Sequence, residues 1–237
     1  VTLSKKTFVY TGCEVLEAIA EAENYNRYLV KMIQKQVARS PKKKPVVLDF
    51  GAGMGLYADM LKDDTKSTID CLEPDKKLQK MLTKKGYKVL ASADDLKPNS
   101  YDVIYSLNVM EHIEDDHKVF GQLTKALKKN GIIVIYVPAF QSLYSSMDKL
   151  VEHHRRYRKS HLRKMANDND LKIVTLQYCD PIGFGAALAF KAVGNKSGVI
   201  SPRSVKIYDR VAFPVSRIVE PASKHIVGKN VVLVAEK

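Results

Sequence analysis

Two stretches concentrate the side chains able to do chemistry. In VVLDFGAGMG, residues 46–55, the acid Asp49 precedes glycines at alternate positions, Gly51, Gly53 and Gly55. Glycines in such a turn accept positive φ and let a ligand lie against bare backbone. Asp49 adds a carboxylate suited to a cationic group. A dinucleotide fingerprint needs its third small residue three positions after the second glycine, and that position is Leu56. The second stretch is MDKLVEHHRRYRKSHL, residues 147–162. His153 is its best candidate base, because an imidazole titrates near neutrality. Arg155 and Arg156 are suited to gripping a phosphate or carboxylate in bidentate fashion. The plainer alternative is a basic helix start in solvent. His112 and His117 lie near Glu111, Glu114 and Asp115. They lack the i, i+4 spacing of a helical metal motif, and the acids suit a helix N-terminus, so no metal is expected.

The elements that must hold these residues can be read from periodicity. VVLDF is a short apolar run suited to a buried parallel strand. STIDCL, YKVL, YDVIYS and IIVIYV read as four more strands, LKIVTLQY as a sixth, and NVVLVAE as the last. Helices alternate with them: LYADML with Leu56, Met60 and Leu61 on one side, then DKKLQKMLTKKG with Leu78, Met81 and Leu82 inward and Gly86 as its stop. DDHKVFGQLTKALKKNG is expected to be capped by Asp115 or Asp116, to bury Val119, Phe120, Leu123, Ala126 and Leu127, and to end at Asn130-Gly131. Residues after Pro138 read as an ordered loop leading to a helix capped by Ser160. Strands alternating with helices imply right-handed parallel crossovers and a doubly wound α/β sheet. The chain of 237 residues is read as one domain. Residues 1–44 form a helical cap, 45–179 the cofactor-binding core, 180–229 a cap or substrate insertion, and 230–237 the last strand.

The D-x-G-x-G-x-G turn resembles motif I of the class I S-adenosylmethionine (SAM)-dependent methyltransferases. Three further features stand in the order that family has them. Glu73 in CLEPD ends the second strand, where an acid accepts both ribose hydroxyls. ASADDL follows the third strand, at the adenine. YDVIYSLNVMEHIEDD is similar to motif IV and the helix after it. The resemblance covers at least residues 46–137 and implies a mostly parallel seven-stranded sheet with an antiparallel last strand. It implies SAM as cofactor, with S-adenosylhomocysteine as product. It implies contacts from Asp49, Gly51, Ala52, Gly53, Glu73, Pro74, Ser92, Ala93, Asp94 and Asn108. The family often has an acid where this chain has Ser92; serine or Asp94 is left to take that bond. The run D-x4-H-x-R-R-Y, here Asp148, His153, Arg155, Arg156 and Tyr157, resembles a pattern in a large bacterial group within this class, as does NYNRYL around Tyr25, whose helix folds over the cofactor there. His153 and Tyr157 are the implied catalytic candidates, with Asp148, Arg155 and Arg156 on the acceptor.

Composition narrows the partners. Hydrophobic residues make up 45% and charged residues 27%, ordinary for a globular domain, and no apolar run is long enough to span a bilayer. Cys13, Cys71 and Cys179 are scattered without metal or redox spacing, which points to reduced thiols in the cytoplasm. The net charge of +13 favours anionic partners, although lysines dispersed on helix faces account for much of it. An anionic small-molecule acceptor is expected, with nucleic acid disfavoured: no RNA-binding module, Asn/Asp-Pro-Pro-aromatic motif or nucleophilic cysteine motif is present. The segment PIGFGAALAFKAVG leaves room for lipid contact at a membrane surface. The leading expectation is O- or N-methylation of an acidic sugar, lipid-linked or natural-product intermediate. RNA methylation and a non-catalytic SAM-binding subunit are the alternatives.

Overall fold

The structure is a computed structural model that describes residues 20–193 and 201–237. Cys13 and the first part of the expected N-terminal helices lie outside them. Among these residues the chain runs α1 (Glu23–Val37), β1 (Val46–Phe50), α2 (Leu56–Asp64), β2 (Thr68–Leu72), α3 (Lys76–Lys84), β3 (Lys88–Leu90) and β4 (Tyr101–Leu107). It continues through α4 (Asp116–Ala126), β5 (Leu127–Pro138), α5 (Ser146–Leu150), α6 (Lys159–Asn167) and β6 (Lys172–Cys179). The insertion holds α7 (Pro181–Val193), α8 (Pro202–Ile207), a π-helical turn and α9 (Phe213–Ser223), before β7 (Asn230–Glu236).

The sheet order is β3-β2-β1-β4-β5-β7-β6, with β7 antiparallel to both neighbours and the other pairings parallel. Strand order reverses between β1 and β4. That switch point opens a crevice at the carboxyl ends of these two strands, where ligands of open α/β sheets bind.

The strands alternate their side chains between two cores. Leu48, Ile104, Ile133 and Ile135 pack with Phe120 and Leu123 of α4 and Leu162 and Met165 of α6. Val47, Val103, Tyr105 and Val134 pack on the other face with Leu29 and Ile33 of α1 and Leu61 of α2. Burying each such aliphatic side chain contributes roughly 1.5–3 kcal/mol. Both cores are continuous beneath the crevice, so they fix the strand ends that carry its residues.

Four local expectations need correcting. Met81 is exposed while Leu78 and Leu82 are buried, because the inward stripe of α3 is narrower than its apolar content. Helix α4 is capped by Asp115, which accepts from Lys118 N–H, but it ends at Ala126. Leu127 already pairs with Tyr101, and the register slips before Ile132 pairs with Val103; Asn130 turns there at φ 62. Ser160 sits inside the first turn of α6, where Arg158 holds the capping position. The loop after Pro138 also contains a short helix, α5, nucleated by a capping box between Ser145 and Asp148.

The insertion is tied to the core by two buried acids. Asp180, at φ 62, accepts from Gly183 N–H, the Tyr208 hydroxyl and the Ser216 hydroxyl at 2.9, 2.6 and 2.6 Å. Asp209 accepts from the backbone N–H groups of Asn24 and Tyr25 at 2.9 and 2.8 Å. A carboxylate from the insertion therefore caps α1, where helix charge favours an anion, and fixes Tyr25 over the crevice.

Candidate active site

The glycine turn leaves β1 with Gly51, Gly53 and Gly55 all at positive φ, 81°, 55° and 82°. A Cβ on Gly51 would meet Val109 Cγ2 at 2.4 Å, so the turn and the loop after β4 are fitted against each other. The N–H groups of Gly51 and Ala52 both donate to Leu72 O, at 2.9 and 3.1 Å. Glu73 follows directly. Its Oε2 accepts from Gly53 N–H at 2.8 Å and its Oε1 from Asp75 N–H at 2.9 Å. One acid thus latches the turn and faces the crevice. A carboxylate accepts about four hydrogen bonds, so each oxygen keeps capacity for a ligand hydroxyl.

Asp49 is buried beneath the turn, and its Oδ2 lacks a hydrogen-bond partner among the described residues. Burial pushes its pKa up to about 7, with the Tyr105 hydroxyl drawing it down and Glu73 pushing it further up. A carboxylate oxygen without a partner at this depth fits a cationic ligand group. Asn108, at φ 53, is anchored by its N–H to Tyr136 O at 2.7 Å and sets its amide 3.4 Å from the Tyr25 hydroxyl. Tyr25 and Asn108 are thereby brought together at the end of β4. Pro74 is exposed beside Glu73, and Ala52 is buried. Ser92 and Asp94 flank Ala93 on a short turn after β3. Ser92 Oγ accepts from Asp94 N–H at 3.2 Å, and Asp94 Oδ1 accepts from Gln122 at 2.7 Å.

The EHHRRYR run crosses the other side of the crevice as a clamp. His154 N–H donates to Glu111 O at 2.8 Å. Arg155 pairs with Asp116 at 2.7 Å and donates to Glu114 O at 2.7 Å. The Tyr157 hydroxyl donates to Asp116 Oδ2 at 2.6 Å and lies 3.0 Å from Met110 O. Arg156 is buried and bidentate to Asp148, Nε at 2.7 Å and Nη2 at 2.9 Å. Three expectations therefore change. Tyr157 is sealed away, and burial together with Asp116 raises its pKa far above the usual phenol value. Asp148 and Arg156 are spent on each other rather than on an acceptor. Arg155 is half-committed to the loop after β4. Each has an internal partner, an ion pair for Asp148, Arg155 and Arg156 and a carboxylate acceptor for Tyr157, that pattern alone does not show.

His153 is where the clamp turns into chemistry. Its Nδ1 lies 2.8 Å from Asp148 Oδ1. Burial alone would raise the Asp148 pKa; hydrogen bonds from His153 and Arg156 overcome that and hold it well below the carboxylate range. An ionised Asp148 favours a proton on Nδ1, so in the neutral ring the lone pair lies on Nε2. That nitrogen lies 3.8 Å from Glu111 Oε1, and the ring meets His112 edge-on, centroids 4.6 Å apart. Glu111, His112 and His153 present donor atoms within 4.8 Å of one another. The expectation of no metal rested on spacing within one helix; the third group arrives from a different loop. Phe140 (φ 59), stacked on Tyr178 at 4.5 Å and edge-on to Phe184 at 5.5 Å, forms an aromatic wall where that loop begins. Lys229, next to β7, was not singled out by any motif; burial pushes its pKa down, with Asp180 opposing.

The sheet order, the alternating-glycine turn and the acid ending β2 define a class I SAM-dependent methyltransferase. A methyltransferase-domain family model matches residues 22–176, and the chain belongs to that family. It is 29% identical over 130 residues to the ubiquinone biosynthesis O-methyltransferase of Pelagibacter ubique, covering 47% of this chain and 53% of that protein. It is 30% identical over 104 residues to an uncharacterized protein of Methanocaldococcus jannaschii, covering 43% and 44%. The matches thus span about half the length of these curated relatives. Among solved structures, it resembles phosphoethanolamine N-methyltransferase 2 of Haemonchus contortus in complex with SAM. There the TM-score is 0.63 at 16% identity, covering 99% of this chain and 59% of that one. It also resembles geranyl diphosphate C-methyltransferase of Streptomyces coelicolor, with a TM-score of 0.64 at 13% identity, covering 92% and 82%. At these identities the structural likeness speaks for the fold.

Proposed function

We propose that this chain transfers the methyl group of SAM to an oxygen or nitrogen of a small or medium-sized acceptor. In this reading Glu73 takes the ribose hydroxyls, Asp49 lies beneath the ammonium of the cofactor's amino-acid end, and the turn after β3 borders the adenine. The sulfonium methyl then points toward the clamp. Methyl transfer from a sulfonium starts from an activated electrophile, so the protein mainly aligns the partners and excludes water.

The observation that carries the reading is the Asp148–His153 pair. In this reading the Nε2 lone pair of a neutral His153 receives the acceptor's proton. With Arg155 and Arg156 engaged internally, Lys229, whose backbone bridges Asp180 O and Ala139 N–H just past β5, is the basic residue we assign to an anionic acceptor.

A lipid-linked acceptor draws support from the insertion. Ile207, Val211, Val215 and Ile218 are 56, 64, 48 and 79% exposed and recur at three- or four-residue steps, and Ile226, 75% exposed, follows just past the end of α9. Arg203, Lys206, Arg210 and Lys224 are interspersed with them. Such a stripe suits an anionic membrane surface. No helix among the described residues is long and apolar enough to cross a membrane.

The test is transfer of a deuterated methyl from labelled SAM, with separated lipid, small-metabolite and RNA fractions offered to the purified protein. Label in the lipid or metabolite fraction supports the reading. Label in RNA alone would replace it with RNA methylation, and none in any fraction, despite cofactor binding, would favour a non-catalytic subunit.

A further inference from the structure

Glu111 occupies a position that a lone carboxylate should not. It is wholly buried, and neither Oε1 nor Oε2 has a hydrogen-bond partner among the described residues. Leaving an ionised carboxylate unpaired in the interior costs several kcal/mol. Such groups are neutralised, paired or bound to a metal. Arg156, the cation nearest by charge, is already bidentate to Asp148. What faces Glu111 instead is a pair of imidazoles. His153 Nε2 is 3.8 Å from Oε1, and His112 packs edge-on against His153.

Both imidazoles have a further partner within the protein. His153 Nδ1 bonds Asp148, which is itself fixed by Arg156 and by Ser145 N–H at 2.9 Å. His112 bonds the backbone of Val151. A carboxylate or carbonyl bonded to each ring is how proteins set the tautomer and aim of metal-ligating histidines. The frame is also stiff. Glu111 and His112 share one 3-10 turn after β4, and the loop carrying His153 is tied to it by the His154–Glu111 backbone bond and by the Arg155 and Tyr157 contacts to Asp116.

We propose that Glu111, His112 and His153 form a binding site for a divalent transition metal at the acceptor end of the crevice. Two imidazoles and one carboxylate suit Zn²⁺ and its first-row neighbours rather than Mg²⁺ or Ca²⁺, which take all-oxygen shells. Bonds of about 2.0–2.1 Å to a tetrahedral ion place ligand atoms roughly 3.4 Å apart. The donors within 4.8 Å therefore close by side-chain rotations on the order of 1 Å. Three protein ligands leave a position for water or for the acceptor's oxygen. Burial pushes Glu111 up to about 8 and His112 down to about 4; a bound cation restores the ionised carboxylate and uses the neutral imidazole.

The inference rests on the methyltransferase reading and deepens it: the acceptor atom is a hydroxyl oxygen. With the metal bound, His153 Nε2 ligates it, so the base role proposed above for His153 passes to water, to which the metal-bound hydroxyl loses its proton because a bound oxygen acid ionises far more readily. The oxygen lone pair attacks the methyl carbon, and the C–S bonding pair returns to sulfur. The products are an ether or ester and the neutral thioether S-adenosylhomocysteine.

The test is titration of chelator-treated, tag-free protein with Co²⁺, followed by its visible d–d absorption, with Zn²⁺ as competitor and Mg²⁺ as control. S-adenosylhomocysteine binding is measured by calorimetry on the same samples. The expected result is one Co²⁺ per chain, displaced by Zn²⁺ and not by Mg²⁺. Glu111→Gln and His153→Ala should abolish the signal, Asp148→Asn should weaken affinity about 10–100-fold, and His117→Ala should leave it unchanged. Cobalt binding that survives Glu111→Gln, or no binding by wild-type protein that still binds S-adenosylhomocysteine, overturns the metal site and leaves the methyltransferase reading standing. Loss of S-adenosylhomocysteine binding by the wild type would instead strike at that reading.

Discussion

Replacing Glu73 with alanine tests the cofactor half of the site. Its oxygens each accept one backbone N–H, from Gly53 and Asp75, so each has capacity for one ribose hydroxyl. A hydrogen bond to a charged group contributes about 1.5–3 kcal/mol, which gives roughly 3–6 kcal/mol for two. Part of this is offset, because burial already disfavours the ionised carboxylate and raises its pKa. We expect S-adenosylhomocysteine affinity to fall between about tenfold and a thousandfold, or about 1.4–4 kcal/mol, by isothermal titration calorimetry. The latch on Gly53 is lost too, so circular dichroism and the melting temperature must show an intact fold. An affinity within about twofold of wild type would mean that Glu73 serves only the turn, and the ribose assignment would be wrong.

Asp49 supplies a pH dependence. Its folded pKa of about 7 lies above the unfolded value near 3.9, so the ligand-free fold holds the extra proton between these values and loses stability as pH rises through that window; Asp49→Asn should flatten this fall in melts from pH 4 to 8. A bound ammonium favours the ionised form, so S-adenosylhomocysteine affinity should rise from pH 6 to 8 in the wild type with proton release, seen as buffer-dependent heats, and not in Asp49→Asn. Arg156→Ala leaves Asp148 without its buried partner and should cost about 3–5 kcal/mol, read from urea denaturation; a loss below about 1 kcal/mol would show the clamp to be dispensable. His153→Ala should keep cofactor affinity and cut turnover by about 10²–10⁴, and a variant of normal rate would remove His153 from the chemistry.

The sheet was legible because its central strands are buried on both faces and read as mostly apolar runs: NVVLVAE is β7 to the residue. The glycine turn was legible because only glycine tolerates three positive φ values in so short a span. In the run from Asp148 to Tyr157 the residue types were legible and their pairings were not. Arg155, Arg156, Asp148 and Tyr157 are charged or polar residues in a run, and sequence does not show that their partners, Asp116 and Asp148 among them, consume them. Glu111 and His112 were read as a helix start because their third companion, His153, lies in a different loop. Their one local signal was an acid and a histidine placed immediately after a strand end at the switch point. Asp209 capping α1 from the insertion was likewise out of reach, since no helix N-terminus announces a cap that distant in the chain.

The central claim is that the crevice between β1 and β4 seats SAM with its methyl toward the clamp. A crystal structure with S-adenosylhomocysteine tests it most directly. The account predicts the ribose hydroxyls on Glu73, the ammonium over Asp49, and the sulfur facing the loop that carries Glu111 and His153. A ligand bound elsewhere, or seated with its sulfur turned away from that loop, would contradict it.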